Sequence, residues 1–216
     1  MHQERVSFYA ESIRPIRLEG LLDMPDDADK HDACILCHPH PIGGGCMQVP
    51  LLETLARVLS AKGLACLRFN FRGVGGSSGQ PSGGAEETED VEGAFQWLRG
   101  RKDLSVERLG LAGWSFGAWV GLNWATSGDA CGRIALINPP LVGFDFFHFL
   151  DGGEAHLPER ALIVGGQRDQ FADSDKLEEL ASRLGAELHI LEGADHFLFG
   201  REAEVAEIVA RYWLVR

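Results

Sequence analysis

After two opening strands, short apolar runs alternate with longer segments of helical spacing along the rest of this chain, and few folds accept that pattern. Residues 6–9 and 13–22 change polarity with period two and read as an antiparallel edge pair, the second carrying Arg14, Arg17 and Glu19. A polar connection at 26–29 follows. The run ACILC at 33–37 is unbroken, as expected of a strand covered on both faces. Leu51, Leu52, Leu55, Val58 and Leu59 then fall at helical spacing. Strand 64–71, a glycine-rich stretch at 73–84 and an acidic-started helix at 86–98 come next. Strand 109–112 leads into helix 116–125. The second half continues with strands 133–137 and 161–164, helix 173–184, strand 187–191 and helix 202–213. Strands alternating with helices of this length predict a mostly parallel sheet with helices on both faces. No linker or repeat divides residues 1–216, so one domain is expected. In such a sheet the working residues gather at the carboxyl ends of the strands.

Composition removes other classes. Lys and Arg number 20 against 32 Asp and Glu, a net charge of −12 with no basic block, which repels phosphates and disfavours nucleic acid. No apolar run approaches the roughly 18 residues a membrane span needs, and Met1–Arg5 does not open a secretory signal. The five cysteines (Cys34, Cys37, Cys46, Cys66, Cys131) form no disulfide framework. They read as free, mostly buried thiols, so a cytoplasmic address is expected. Glycine supplies 27 of 216 residues, well above the roughly 7% average, which points to tight turns around a loop-built site.

The chemistry concentrates in three places. Gly113-Trp-Ser115-Phe-Gly117 follows one strand directly and opens a helix, the strand–turn–helix context that a G-x-S-x-G nucleophile requires. A plainer reading makes Ser115 a helix cap in a glycine turn. A serine hydroxyl is a weak nucleophile without a base and a group that orients the base. Asp169 lies just past strand 161–164 and His196 past strand 187–191. The order Ser, Asp, His is that of an acyl-transfer triad on an α/β sheet. Alternatively Asp169 is a turn carboxylate and His196 a loop histidine. Asp173 and Asp175 look like residues of a helix start. His189 lies within a strand, and His2, His31 and His156 lie in polar segments. Asp145 is the reserve acid.

An oxyanion hole needs converging backbone N–H groups. One is expected from Phe116, the residue after the serine. The other is expected from the loop His38-Pro-His-Pro-Ile-Gly-Gly-Gly45, where Pro39 and Pro41 have no N–H. That leaves His40, the first choice, or Ile42. Two histidines one residue apart hint at a metal, but no convincing third ligand accompanies them, so none is expected. Residues 73–79 (GVGGSSG) lack the third glycine of a dinucleotide loop, and no G-K-[ST] phosphate loop is present. Cys34 and Cys37 have redox spacing within a strand and read as packed thiols. Phe144, Phe146, Phe147 and Phe149 belong either to the core or to the wall of an acyl pocket. Trp119 and Tyr212 are open to a core or an interface role, and oligomeric state is left open.

With these residues in place, the chain resembles the α/β-hydrolase superfamily over nearly its whole length, and within it the small, lidless bacterial hydrolases related to dienelactone hydrolase. The likeness rests on CHPHPIGGGCMQ, LRFNFRGVGGSSG, GWSFGAW, GGQRDQF and GADHFLFG. Dienelactone hydrolase itself uses a cysteine nucleophile where this chain has Ser115. The resemblance implies an eight-stranded, mostly parallel sheet and ester-type hydrolysis. Residues 139–159 leave room for a short helix but not for a lid domain, which implies an open site for small or medium acyl groups.

The expected mechanism is attack by Ser115 on an ester or thioester carbonyl of a small-molecule substrate. His196 serves as base, Asp169 as orienting acid, and no cofactor is used. Two other classes fit the same residues: an acyltransferase or cofactor-free perhydrolase, and a catalytically idle fold used for binding. Epoxide and haloalkane hydrolysis are disfavoured, because the attacking carboxylate is missing at position 115.

Overall fold

The computed structural model describes residues 2–10, 15–26, 30–128, 131–151 and 155–214. Expectations for Ile13, Arg14, residues 27–29 and residues 152–154 lie outside them. Eight strands form one sheet in the order β1-β2-β4-β3-β5-β6-β7-β8. β1 (His2–Ala10) and β2 (Ile16–Met24) pair antiparallel, and β2 joins β4 (Ala65–Phe69) antiparallel. From β4 onward the pairs are parallel, through β3 (His31–Cys37), β5 (Leu104–Trp114), β6 (Arg133–Ile137), β7 (Arg160–Gly166) and β8 (Glu187–Leu191).

Alternation along the strands divides the core into two layers. One contains Ile35, Cys37, Leu67, Leu111, Leu136 and Ile163. They pack against α2 (Glu87–Arg99), α3 (Phe116–Thr126) and α4 (Ser174–Leu184). The other contains Leu36, Cys66, Ala112, Ile137 and Val164 under α1 (Pro50–Ser60) and α5 (Glu202–Leu214). Leu51, Leu52, Leu55 and Leu59 of α1 are fully buried, each stabilising the fold by on the order of 2 kcal/mol. At the far edge, β8 carries Glu187 and His189 in contact, polar side chains that discourage strand addition.

The expected elements form, with shifted ends. β5 begins five residues before its expected start, because Ser105, Glu107 and Arg108 interrupt the apolar run there. His31, expected in a polar segment, is buried in β3. Cys34 and Cys37 fall on opposite faces of the sheet. The neighbour of the Cys34 sulfur is Cys66 across the strand pair, at 3.2 Å. In 139–159 the one helical turn among the described residues is His148–Leu150.

The glycine-rich stretch is held by carboxylates. Glu19 accepts from the Gly76 N–H at 2.6 Å, and Glu87 accepts from the Ser82 and Gly84 N–H groups at 2.8 and 2.7 Å. A phosphate would find these donors already occupied by negative charge. Beneath the loop, the buried Arg72 guanidinium is paired with Asp90 at 2.8 Å.

Candidate active site

The carboxyl ends of β3, β5, β6, β7 and β8 converge on one cavity. Ser115 sits between β5 and α3 with φ 54° and ψ −119°, a region that side chains with a Cβ rarely occupy and that costs of order 1–3 kcal/mol. The flanking glycines make the turn possible. A Cβ on Gly113 would lie 2.2 Å from the Gly117 carbonyl oxygen, and one on Gly117 would lie 2.3 Å from that of Cys37. The same close approach brings the start of α3 against the loop that follows β3. Because the strain belongs to the Cβ, Ser115→Gly is expected to be more stable than Ser115→Ala by about 1 kcal/mol, read from urea midpoints. Equal midpoints would mean that the backbone is relaxed.

Ser115, His196 and Asp169, far apart in sequence, form a chain of hydrogen bonds. His196 Nε2 lies 2.8 Å from Ser115 Oγ, and His196 Nδ1 lies 2.8 Å from Asp169 Oδ2. The carboxylate can only accept, so Nδ1 carries the proton and Nε2 is left to receive one from the hydroxyl. The other carboxylate oxygen accepts from the Phe171 N–H at 2.8 Å, which fixes its rotation. All three residues are buried, Ser115 with 8% exposure. Gly166 lets the end of β7 meet the loop carrying His196, since a Cβ there would lie 2.6 Å from the Ala194 oxygen. Asp145 is occupied elsewhere, accepting from the Phe147 and His148 N–H groups at 3.0 Å each.

Two supports of this array were not anticipated. Asn138, at the end of β6 with φ 42°, donates from Nδ2 to the Asp195 and His196 carbonyls at 3.0 Å each and accepts the Gly166 N–H at 2.7 Å. Trp114 Nε1 also donates to the His196 carbonyl, at 3.2 Å. The string Ile-Asn138-Pro-Pro at a strand end was the available signal, a polar residue held just before two prolines.

Around the loop after β3, the N–H groups of Gly43 and Gly45 donate to the His40 carbonyl and that of Gly44 to Pro41. The Ile42 N–H donates to His40 Nδ1 at 3.2 Å. Among the described residues, the N–H groups of His40 and Phe116 have no protein partner, and the His40 ring packs on Phe116. No three His, Cys, Asp or Glu side chains among the described residues gather as a metal set. His38 is fully buried and bonded through both ring nitrogens.

Burial holds the His38 imidazole down at about 4, against an ordinary value of 6.5, with His40 lowering it further and the Pro39 carbonyl and Glu87 opposing. Unfolded chains take up this proton from pH 6.5 downward while the folded protein refuses it until about pH 4. Stability from this site is therefore fully present above pH 6.5 and lost as pH falls toward 4. The loss reaches about 2–3 kcal/mol by pH 4.5. The stability gap between wild type and His38→Asn, measured by urea unfolding, is expected to narrow by that amount from pH 7 to 4.5. A constant gap would contradict the assignment.

The cavity holds about 500 Å³ and is lined by Ser115, His196, His40, Trp114, Phe144 and Phe171 together with glycines, prolines and apolar residues, with no Lys, Arg, Asp or Glu among the described residues. The phenylalanine cluster divides: Phe144 reaches this cavity, while Phe146 is buried in the core and Phe149 packs on Trp119. Tyr212 lies under the Arg160 guanidinium.

A mostly parallel sheet whose central strand turns into a helix through a strained serine, with no lid domain above it, is the architecture of a small α/β-hydrolase. The chain belongs to the α/β-hydrolase family, whose domain model matches residues 32–208. An uncharacterized protein of Rickettsia prowazekii is 28% identical over 203 residues, covering 91% of this chain and 84% of that one. An α/β serine hydrolase homologue from Coxiella burnetii superposes with a TM-score of 0.80 at 30% identity, covering 95% of this chain and 96% of its own. A Xanthomonas campestris member of the α/β serine hydrolases without a lid gives 0.82 at 27% identity, over 99% and 96%. Among the described residues no helix is long and apolar enough to cross a membrane.

Proposed function

We propose that the protein is a serine hydrolase that cleaves carboxylic esters or thioesters of small to medium acyl groups. The observation that carries this reading is the continuous Asp169–His196–Ser115 hydrogen-bond chain opening onto an apolar cavity. Ser115 Oγ attacks the carbonyl as its proton passes to His196 Nε2. The tetrahedral oxyanion is held by the free N–H groups of Phe116 and His40, and the engagement of the Ile42 N–H favours His40 as the loop donor. His196 then gives its proton to the leaving alcohol or thiol. Water, activated by the same imidazole, attacks the acyl-enzyme and returns the serine.

A cavity with no formal charge on its described walls offers no cation to a carboxylate buried against them, a loss of more than about 1–3 kcal/mol for a buried unpaired charge. Uncharged acyl chains are therefore the expected substrates. The test is hydrolysis of p-nitrophenyl esters from acetate to palmitate, with Ser115→Ala as control, beside a monosuccinate ester. The expected result is an optimum at short or medium chains and at least about tenfold lower kcat/KM for the succinate, from that desolvation cost. Activity on no ester, together with failure of a fluorophosphonate to label Ser115, would sink the proposal.

A further inference from the structure

Both nitrogens of the buried His38 ring have partners whose chemistry admits one arrangement. The Phe71 N–H, 3.1 Å from Nε2, can only donate. The Pro39 carbonyl, 2.7 Å from Nδ1, can only accept. The ring is therefore neutral, with its proton on Nδ1, and it clamps the Pro39 carbonyl. That carbonyl shares a peptide plane with the His40 N–H. No cis peptide bond occurs among the described residues, and in a trans peptide C=O and N–H point in opposite directions. Whatever aims the Pro39 oxygen thus aims the His40 N–H the other way. Pro39 has no N–H, so the peptide before it supplies no donor that could help to fix the turn. Gly45 crowds the same carbonyl from another side, where a Cβ would fall 1.9 Å from the oxygen.

We infer that His38 is a positioning residue which, through the Pro39 carbonyl, orients the His40 N–H toward the oxyanion formed at Ser115. The inference rests on the hydrolase reading above and adds a residue to it. His38 touches neither substrate nor the reacting atoms. Its effect is confined to the transition state, because a ground-state carbonyl gains far less from the donor than the developing oxyanion does.

Two amides of different reach separate positioning from packing. An asparagine places its amide near the Nδ1 position, where its N–H can still hold the Pro39 carbonyl. A glutamine places its amide near Nε2, where it can accept from Phe71 but leaves Pro39 unclamped. Both lose part of the buried ring's packing and are expected to be destabilised to a similar degree in thermal unfolding. On a p-nitrophenyl ester, His38→Gln is expected to lose about 10–100-fold in kcat with KM within about threefold, somewhat less than removal of a whole oxyanion donor. His38→Asn should keep kcat within about threefold. Inhibition by an alkylboronic acid, which forms a tetrahedral adduct on a serine, should weaken in parallel with kcat in the glutamine variant alone.

Equal kcat losses in the two folded variants, or wild-type kcat in His38→Gln, would overturn the inference. If His38→Gln fails to fold, a folded His38→Asn that has lost thirtyfold or more in kcat overturns it alone, and one that keeps its activity supports it. A wild-type protein with no esterase activity and no fluorophosphonate labelling would instead remove the hydrolase reading itself, and this inference with it.

Discussion

Ser115→Ala and His196→Ala are each expected to lower kcat on a p-nitrophenyl ester by about 10⁴–10⁶-fold while leaving the fold intact. The magnitude follows from how the two residues act. In the proposed mechanism, with Oγ at 2.8 Å from Nε2, bond formation to the carbonyl and proton transfer to the imidazole are one event. Removing either partner ends that route, leaving only the oxyanion donors and the binding cavity to assist water. The double variant should therefore be little worse than either single one. Ser115→Ala should unfold much like wild type, because it deletes one hydroxyl at a strained position, whereas His196→Ala leaves the buried Asp169 carboxylate without its partner and should unfold more easily while still folding. A single folded variant keeping a tenth of wild-type activity would remove that residue from the mechanism.

The alternation that specifies the sheet was legible because parallel strands buried on both faces must be apolar runs. β6 and β8 fall at their expected residues for this reason. β5 did not, because its first half is a half-exposed edge beside a register shift in β3, where Ser105, Glu107 and Arg108 can face outward. The strand-end rule identified Ser115, Asp169 and His196 as candidates, each following a separate strand. Asn138 and Trp114 escaped notice because their bonds go to carbonyls more than fifty residues away. Nothing local announces such a bond. His38 was visible only as half of a His-x-His spacing that suggests a metal. Its actual partners are the next residue's carbonyl and the backbone of Phe71, a contact created by β3 and β4 lying side by side. Motifs reveal side chains that act on a substrate, whereas residues that hold a backbone in place emerge only from the packed structure.

The acid offers the sharpest separation between two candidates of the same residue type. Asp169→Asn is expected to lower kcat by about 10⁴-fold, whereas Asp145→Asn should stay within about threefold of wild type. Both are near-isosteric, so volume does not explain the difference. At position 169 the Phe171 N–H, 2.8 Å from Oδ1, can only donate, so the asparagine must turn its carbonyl oxygen toward it. Its NH₂ group then faces His196 Nδ1, which becomes an acceptor, and the imidazole proton moves to Nε2. In that tautomer Nε2–H donates to Ser115 Oγ and cannot take its proton, so the base is present but inverted. Because the contacts from Phe171 to position 169, from there to His196 and on to Ser115 each still pair a donor with an acceptor, the thermal midpoint should move little, and a large fall in kcat without a fall in stability is the signature to look for. At position 145 both local N–H partners can be served by an amide oxygen, and His196 is untouched. Should Asp169→Asn keep more than a tenth of wild-type activity, the tautomer argument fails. Asp145→Asn then becomes the decisive variant, since a severe loss there would move the orienting role to that carboxylate.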